Sequence, residues 1–293
     1  MIIDAHTHVQ FPQFDKDRDE VIRRALDNGI WMINAGSDKQ NSKQAVELAD
    51  KYEEGVYATV GQHPSEAEGF SAKGGPALGW DYEFFRNLAK NPNVVAIGEC
   101  GLDYAVFARK RSERLQKRAS AEVINEGGLL KEKQKLIFTK HIELAAEIKK
   151  PLMIHCREAH SANSGQAFSN LIEILNSQSS LLNPIPGVLH FFTGTLENTK
   201  QLLELGFYFT FGGLITFNRD FDEVIKFLPL EKILLETDAP YVSPEPYRGK
   251  RNEPAYITEV VKKLAEIKGL TYEKVAKATT ENAIKIFSLS NLT

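Results

Sequence analysis

Short apolar runs, rich in β-branched and aromatic residues, alternate along the whole chain with longer stretches of helical period. The runs are 2–6, 30–35, 56–60, 94–99, 151–155, 187–191, 206–212 and 232–237, each with the length and composition of a strand. Between them, apolar positions recur every three or four residues over 18–28, 38–52, 80–89, 131–148, 166–176, 196–205 and 221–227. Two more such stretches, 253–268 and 272–289, follow the last strand. That spacing predicts helices that each bury one face. Strict alternation of strand and helix predicts parallel strands joined by right-handed crossovers. Eight such units predict a closed (β/α)8 TIM barrel, with an open doubly wound sheet as the other arrangement. Two stretches break the rhythm: 69–79 holds four glycines and reads as a loop, and 104–128 is a charged insertion after the fourth strand. Neither an internal repeat nor a linker divides the chain, so a single domain over 1–293 is expected.

Composition narrows the class. With 42% hydrophobic and 26% charged residues, the 293-residue chain has the make-up of a globular protein with a large core. It contains no apolar run of membrane-spanning length and no secretory start, so a cytoplasmic setting without a membrane partner is expected. The two cysteines, Cys100 and Cys156, read as small buried residues rather than a disulfide. A net charge of -3 gives no global attraction for nucleic acid, so a phosphate-bearing partner must be held by local charge or metal. No obligate protein partner is evident.

The chemistry gathers at strand ends. Strand one runs Ile2-Ile3-Asp4-Ala5-His6-Thr7-His8, and strand alternation sets Asp4, His6 and His8 on one side. His63 follows strand three, Glu99 ends strand four, His155 ends strand five, His190 lies near the end of strand six, and Asp238 follows strand eight. In a TIM barrel all of these share the face where active sites are built. Of seven histidines, only His141 and His160 fall outside the set. Four imidazoles and two carboxylates exceed one tetrahedral site, and a carboxylate such as Glu99 can bridge, so two divalent ions are expected. Mixed nitrogen and oxygen donors suit Zn, Mn or, with partial occupancy, Mg. Glu236, two residues before Asp238, and Asp4, two before His6, are placed to orient ligands or to form buried ion pairs. Arg157, Arg248 and Arg251 lie in loops on the same face and suit phosphate oxygens.

Five motifs carry a family resemblance: Ile3-Asp4-Ala5-His6-Thr7-His8, Gly61-Gln62-His63-Pro64, Ala96-Ile97-Gly98-Glu99-Cys100-Gly101-Leu102-Asp103-Tyr104, Ile154-His155-Cys156-Arg157 and Leu235-Glu236-Thr237-Asp238-Ala239-Pro240-Tyr241. Arg248-Gly249-Lys250-Arg251-Asn252-Glu253-Pro254 extends the match. As an ordered set they resemble the TatD-type metal-dependent nucleases over nearly the whole chain. The resemblance implies a TIM barrel of amidohydrolase type and a divalent-metal-dependent phosphodiesterase, typically a deoxyribonuclease and often a 3′-to-5′ exonuclease. It implies that His6, His8, Glu99 and Asp238 bind one ion, and Glu99, His155 and His190 the other. Asp238 would also take a proton from the attacking water, and His63 would touch the scissile phosphate. DNA is the implied substrate, with RNA alongside it.

Two features depart from that pattern. Residues 105–128 are inserted before Lys131-Glu132-Lys133-Gln134, and Cys156 stands where the family often has Ser. The insertion clusters Arg109, Lys110, Arg111, Arg114, Lys117 and Arg118 against Glu113 alone, a patch able to guide a phosphate backbone or merely a solvated face. Two competing functions are an amidohydrolase acting on a small cyclic amide, lactone or amine, and a binding barrel that has lost catalysis. The first class often bridges its metals with a modified lysine where this chain has Glu99; the second should lack a ligand, and all six are present.

Overall fold

A computed structural model of the protein describes residues 1–69, 80–105, 121–158, 166–182 and 186–289. Eight parallel strands close into a barrel in chain order: β1 (Ile2–Thr7), β2 (Ile30–Ala35), β3 (Val56–Val60), β4 (Val94–Asp103), β5 (Leu152–Arg157), β6 (Gly187–Leu189), β7 (Tyr208–Phe211) and β8 (Ile233–Leu235). β1 pairs with both β2 and β8, which removes the open-sheet alternative. The helices between them are α1 (Arg18–Asp27), α2 (Lys39–Ala49), α3 (Tyr82–Leu88), α4 (Ala121–Ile148), α5 (Gln166–Ser177), the single turn α6 (Ser179–Leu182), α7 (Leu196–Glu204) and α8 (Asp222–Phe227). α9 (Ile257–Lys268) and α10 (Tyr272–Phe287) end the chain.

The helices begin where side chains can cap them. Asp38 accepts from the Asn41 amide at the start of α2, and Thr195 and Asn198 form a reciprocal capping box at α7. α4 starts ten residues before the expected Lys131, so the end of the insertion is helical. The six basic residues of the insertion, and His160, lie outside the described residues. Among the described residues no helix is long and apolar enough to cross a membrane.

Two apolar clusters divide the core. Alternate strand residues such as Met32, Ala58, Ile154, Leu189, Phe209 and Leu235 face outward onto the helices. Ile3, Ile33, Met153, Val188, Tyr208 and Leu234, from strands right round the barrel, meet one another and Ile286 and Phe287 of α10. Only the barrel interior brings such residues together, so the last helix closes the N-terminal mouth. The inward positions further along the strands are polar: His155, His190, Thr210 and Glu236.

Two strands depart from simple alternation, both at candidate ligand positions. In β1, Asp4 pairs with Met32 and Thr7 with Asn34, three steps against two. The extra residue puts Ala5 and His6 on the same inner side. Asp4 therefore faces outward with Met32, which corrects the expectation that it looks the same way as the two histidines. In β4, Gly98 pairs with Met153 and Cys100 with Ile154, leaving Glu99 as the extra residue. Gly98 has φ of 150°, and a Cβ there would meet the Met153 carbonyl oxygen at 2.3 Å, so only glycine fits beside Glu99. β4 also runs on to Asp103, four residues beyond its expected end.

His141 is a structural histidine on α4. Its Nδ1 donates to the Ile137 carbonyl and its Nε2 accepts the Gln62 amide at 2.9 Å, fixing the loop that carries His63. Burial, the largest cause, holds its pKa down at about 4, so it stays neutral when folded. In the unfolded chain it takes a proton near pH 6.5, and lowering the pH then favours unfolding. Stability from this group is complete above pH 6.5 and is lost as pH falls towards 4. Between pH 7.5 and 5 the loss is expected to be about 2 kcal/mol. Denaturant unfolding of wild type and His141→Gln at both pH values checks it: the wild type should lose that much more than the variant.

Candidate metal centre

The loop after β8 is laced to β1. The Asp238 amide donates to the His6 carbonyl at 2.9 Å, and the His8 amide donates to the Ala239 carbonyl at 2.8 Å. Asp4 adds to this by accepting from the amide and hydroxyl of Thr237, at 2.9 and 2.5 Å. Its role is to brace the residue before Asp238, neither orienting the His6 ring nor forming an ion pair. Asp238 itself has φ of 54°, a left-handed conformation that Asp tolerates better than most residues and that is common at functional sites.

Four donor atoms consequently meet. His6 Nε2 and His8 Nε2 are 3.1 Å apart. Glu99 Oε2 lies 3.6 and 3.7 Å from them, and Asp238 Oδ1 lies 3.8 and 3.5 Å from them. The His8 Nδ1 faces the Ala35 carbonyl at 2.9 Å, which can only accept. Nδ1 therefore carries the proton and Nε2 turns a bare lone pair inward. The other oxygen of Glu99 meets a second cluster. Its Oε1 is 3.0 Å from His155 Nδ1 and 2.9 Å from His190 Nε2, and those two nitrogens are 3.1 Å apart. Donors bound at 2.0–2.2 Å around a tetrahedral ion sit about 3.3–3.6 Å from each other. The first cluster, at 3.1–3.8 Å, has about that spacing, while the second, at 2.9–3.1 Å, stands at hydrogen-bond distances that a bound ion would spread slightly. The residues fit a divalent metal on donor chemistry and on spacing.

Carboxylates stand behind the second cluster. Asp103 Oδ2 is 3.3 Å from His155 Nε2, an ion-pair contact short of a well-aligned hydrogen bond. Glu236 Oε2 is 3.6 Å from His190 Nδ1 and accepts from Thr210 at 2.5 Å. Such partners fix the tautomer and aim of a ligating imidazole. The expectation for Glu236 is met in its placement. Asp103 and Gln134, whose side-chain amide clamps the Asp103 backbone on both sides, were given no role from sequence. Glu99, Gly101 and Asp103 alternate onto one face only because β4 runs on to Asp103, beyond the end its apolar run predicts.

His63 is set up differently. Its Nδ1 accepts from the Ser65 amide at 3.1 Å, so its proton is on Nε2, 3.4 Å from Glu99 Oε1. His63, Asp103 and His155 hold donor atoms within 4.8 Å of one another, but an Nε2–H donates and does not ligate. Burial first, then neighbouring histidines, holds the His63 pKa at about 4 despite Glu99, so this donor is neutral.

Electrostatics favour a charged Glu99. Burial pushes its pKa up, but His63, His190 and His155 together pull it well below the usual carboxylate range. Burial and the neighbouring histidines hold His6 well below its ordinary value. For His190, burial works downward, yet Glu99 and Glu236 carry it well above 6.5.

The arginines divide. Arg157 is exposed at the end of β5, two residues beyond His155. Arg251 donates to both Asp17 oxygens, at 2.8 and 2.6 Å, and lies over the Phe14 ring. Arg248 donates to the Ser243 carbonyl and covers Phe217. These two brace the loop after β8. Cys100 and Cys156 are buried on the outer face, as expected.

The TatD related DNase family model matches residues 3–288. A metal-dependent hydrolase of Bacillus subtilis (strain 168), YabD, itself uncharacterized, is 33% identical over 293 residues, spanning 99% of this chain and 100% of its own. The 3′-5′ ssDNA/RNA exonuclease TatD of Rahnella sp. (strain Y9602) is 33% identical over 287 residues and 95% of each chain. Among solved structures, the TatD homologue YjjV of Escherichia coli K12 superposes with a TM-score of 0.77 at 26% identity, covering 98% of both chains. With the ligand spacing above, a match that takes in every strand and every ligand position makes this chain a metal-dependent hydrolase belonging to the TatD related DNase family.

Proposed function

We propose that the protein is a two-metal phosphodiesterase that removes nucleotides from the 3′ end of single-stranded DNA, and of RNA, by attack of water on phosphorus. The observation that carries this reading is Glu99. Its two oxygens face separate nitrogen clusters, Oε2 towards His6 and His8, and Oε1 towards His155 and His190. A carboxylate in that position would serve two ions, which His6, His8 and Asp238 would hold on one side and His155 and His190 on the other. A bound pair of Mg, Mn or Zn ions supplies charge stabilisation at the attacking and leaving oxygens. The exonuclease names carried by relatives at 31–33% identity support the choice of nucleic acid.

The chain's own groups supply the rest. Asp238, partly exposed at the mouth, accepts the proton of the attacking water. His63 donates its Nε2–H to a non-bridging phosphate oxygen, and the exposed guanidinium of Arg157 pairs with another. Arg248 and Arg251 hold the loop that carries this half of the site. The closed barrel floor, plugged by α10, confines substrate entry to the mouth where these groups stand.

The test is cleavage of a 3′-labelled single strand by protein supplied with Mg, Mn or Zn, beside a panel of small cyclic amides and lactones. Shortening of the strand one nucleotide at a time, stopped by a chelator and restored by metal, is the expected result. Turnover confined to the amide or lactone panel would overturn the proposal in favour of an amidohydrolase.

A further inference from the structure

A groove of about 890 Å³ lies between the loop after β1 and helix α2, with Gln10 and Phe11 between it and the candidate ligands. Its wall is unusual in carrying Gln10, Gln13, Gln40 and Gln44 together with the ring of Phe11. The charged groups beside them, Arg18 and Lys51 against Asp15 and Glu47, cancel. Arg18 is moreover tied to the Val9, Gln10 and Phe11 carbonyls, which stiffens the wall. A track for phosphates would show uncompensated cations. Neutral amides beside an aromatic ring suit nucleobase edges and faces.

The groove is one side chain away from the ligands. Phe11 stacks on His8 with centroids 4.4 Å apart, and Gln10 Nε2 shares the Ala35 carbonyl with His8 Nδ1. Gln10 is 4% exposed, and its Oε1 is buried without a hydrogen-bond partner. On the other side of His8, Tyr241 meets its ring edge at 6.4 Å, and 46% of Tyr241 is exposed. The side chain of Gln13 approaches the Tyr241 hydroxyl, which links this ring to the groove. An exposed aromatic beside a buried ligand serves no core.

We propose that Tyr241, Phe11 and the amide-lined groove form a seat for the unpaired nucleobase that flanks the scissile phosphate. The base stacks on the open face of Tyr241, and its edge is met by Gln44. This rests on the nuclease reading above and adds a reason for a single strand: in a duplex that edge is already paired. It also makes the site tolerant of sequence, because every base has a face to stack and an amide can donate or accept.

The test compares kcat/KM on a single-stranded oligonucleotide with kcat/KM on bis(p-nitrophenyl) phosphate, a diester without a base. Stacking contributes roughly 1–3 kcal/mol per base, so Tyr241→Ala should lower the ratio of the two by about 5- to 150-fold. Gln44→Ala should lower it several-fold, while Tyr241→Phe, which keeps the ring, should hold it within about twofold. A second measurement needs no variant. A phosphorothioate-ended strand with 2-aminopurine at its 3′ terminus should lose fluorescence on binding wild type, and the same base placed mid-strand should not. A ratio unmoved in both alanine variants, or equal quenching at both positions, would remove the base seat while leaving the nuclease intact. A wild type inert on both diesters would instead bring down the nuclease reading itself.

Discussion

Glu99→Ala is expected to cut turnover on a labelled single strand by at least about 10³-fold, a barrier rise of roughly 4 kcal/mol. Its two oxygens each meet nitrogens of a different cluster, so truncation removes a donor from each at once. It also removes the negative charge against which five imidazoles are arranged. The backbone should survive. The bulge at this position is set by Gly98 and by the Glu99 amide, which donates to the Gly36 carbonyl at 2.7 Å; neither depends on the side chain. Circular dichroism should thus match wild type while metal content per chain falls. Residual activity within about tenfold of wild type, with metal retained, would show that the two clusters do not act through a shared carboxylate.

Much of this site could be read from the sequence because strand ends and ligands coincide. His63, Glu99, His155, His190 and Asp238 each follow an apolar run, and a barrel brings the ends of its strands to one mouth whatever their distance along the chain. The β2 and β3 limits agree with the pattern because Gly36 and Gly61 follow them directly. What the pattern could not carry was pairing register. Alternation is a rule for unbroken strands, and the bulges in β1 and β4 appear only when each strand is set against its neighbour. Alternation alone points Asp4 inward for that reason, and Glu99 reaches the centre because of the same device.

Partner choice was equally closed to the sequence. Arg251 looks like a phosphate ligand in its motif, and only the fold brings Asp17 within 2.6 Å of it. Asp103 stood in a quoted motif without a role, because nothing local says that β4 continues far enough for it to meet His155. The long-range pairs decide such cases, and they join residues on different strands and loops.

Asp238→Asn should separate metal binding from proton transfer. Asn tolerates the left-handed backbone at this position as Asp does, and its amide oxygen can still face His6 and His8. The Asp238 and His8 backbone bonds to β1 are unaffected by the exchange. What is lost is a negative charge and the capacity to accept a proton. A positioned base contributes typically 10²–10⁴-fold, so kcat is expected to fall by about that factor while KM for the oligonucleotide changes by less than about threefold. Metal content should stay near wild type at saturating ion, because His6, His8 and Glu99 still converge from the other side. Raising the pH supplies hydroxide without a base, so the variant should recover towards wild type in alkali. Loss of metal in step with loss of rate would make Asp238 a ligand and nothing more, and the proton would have to leave by another group.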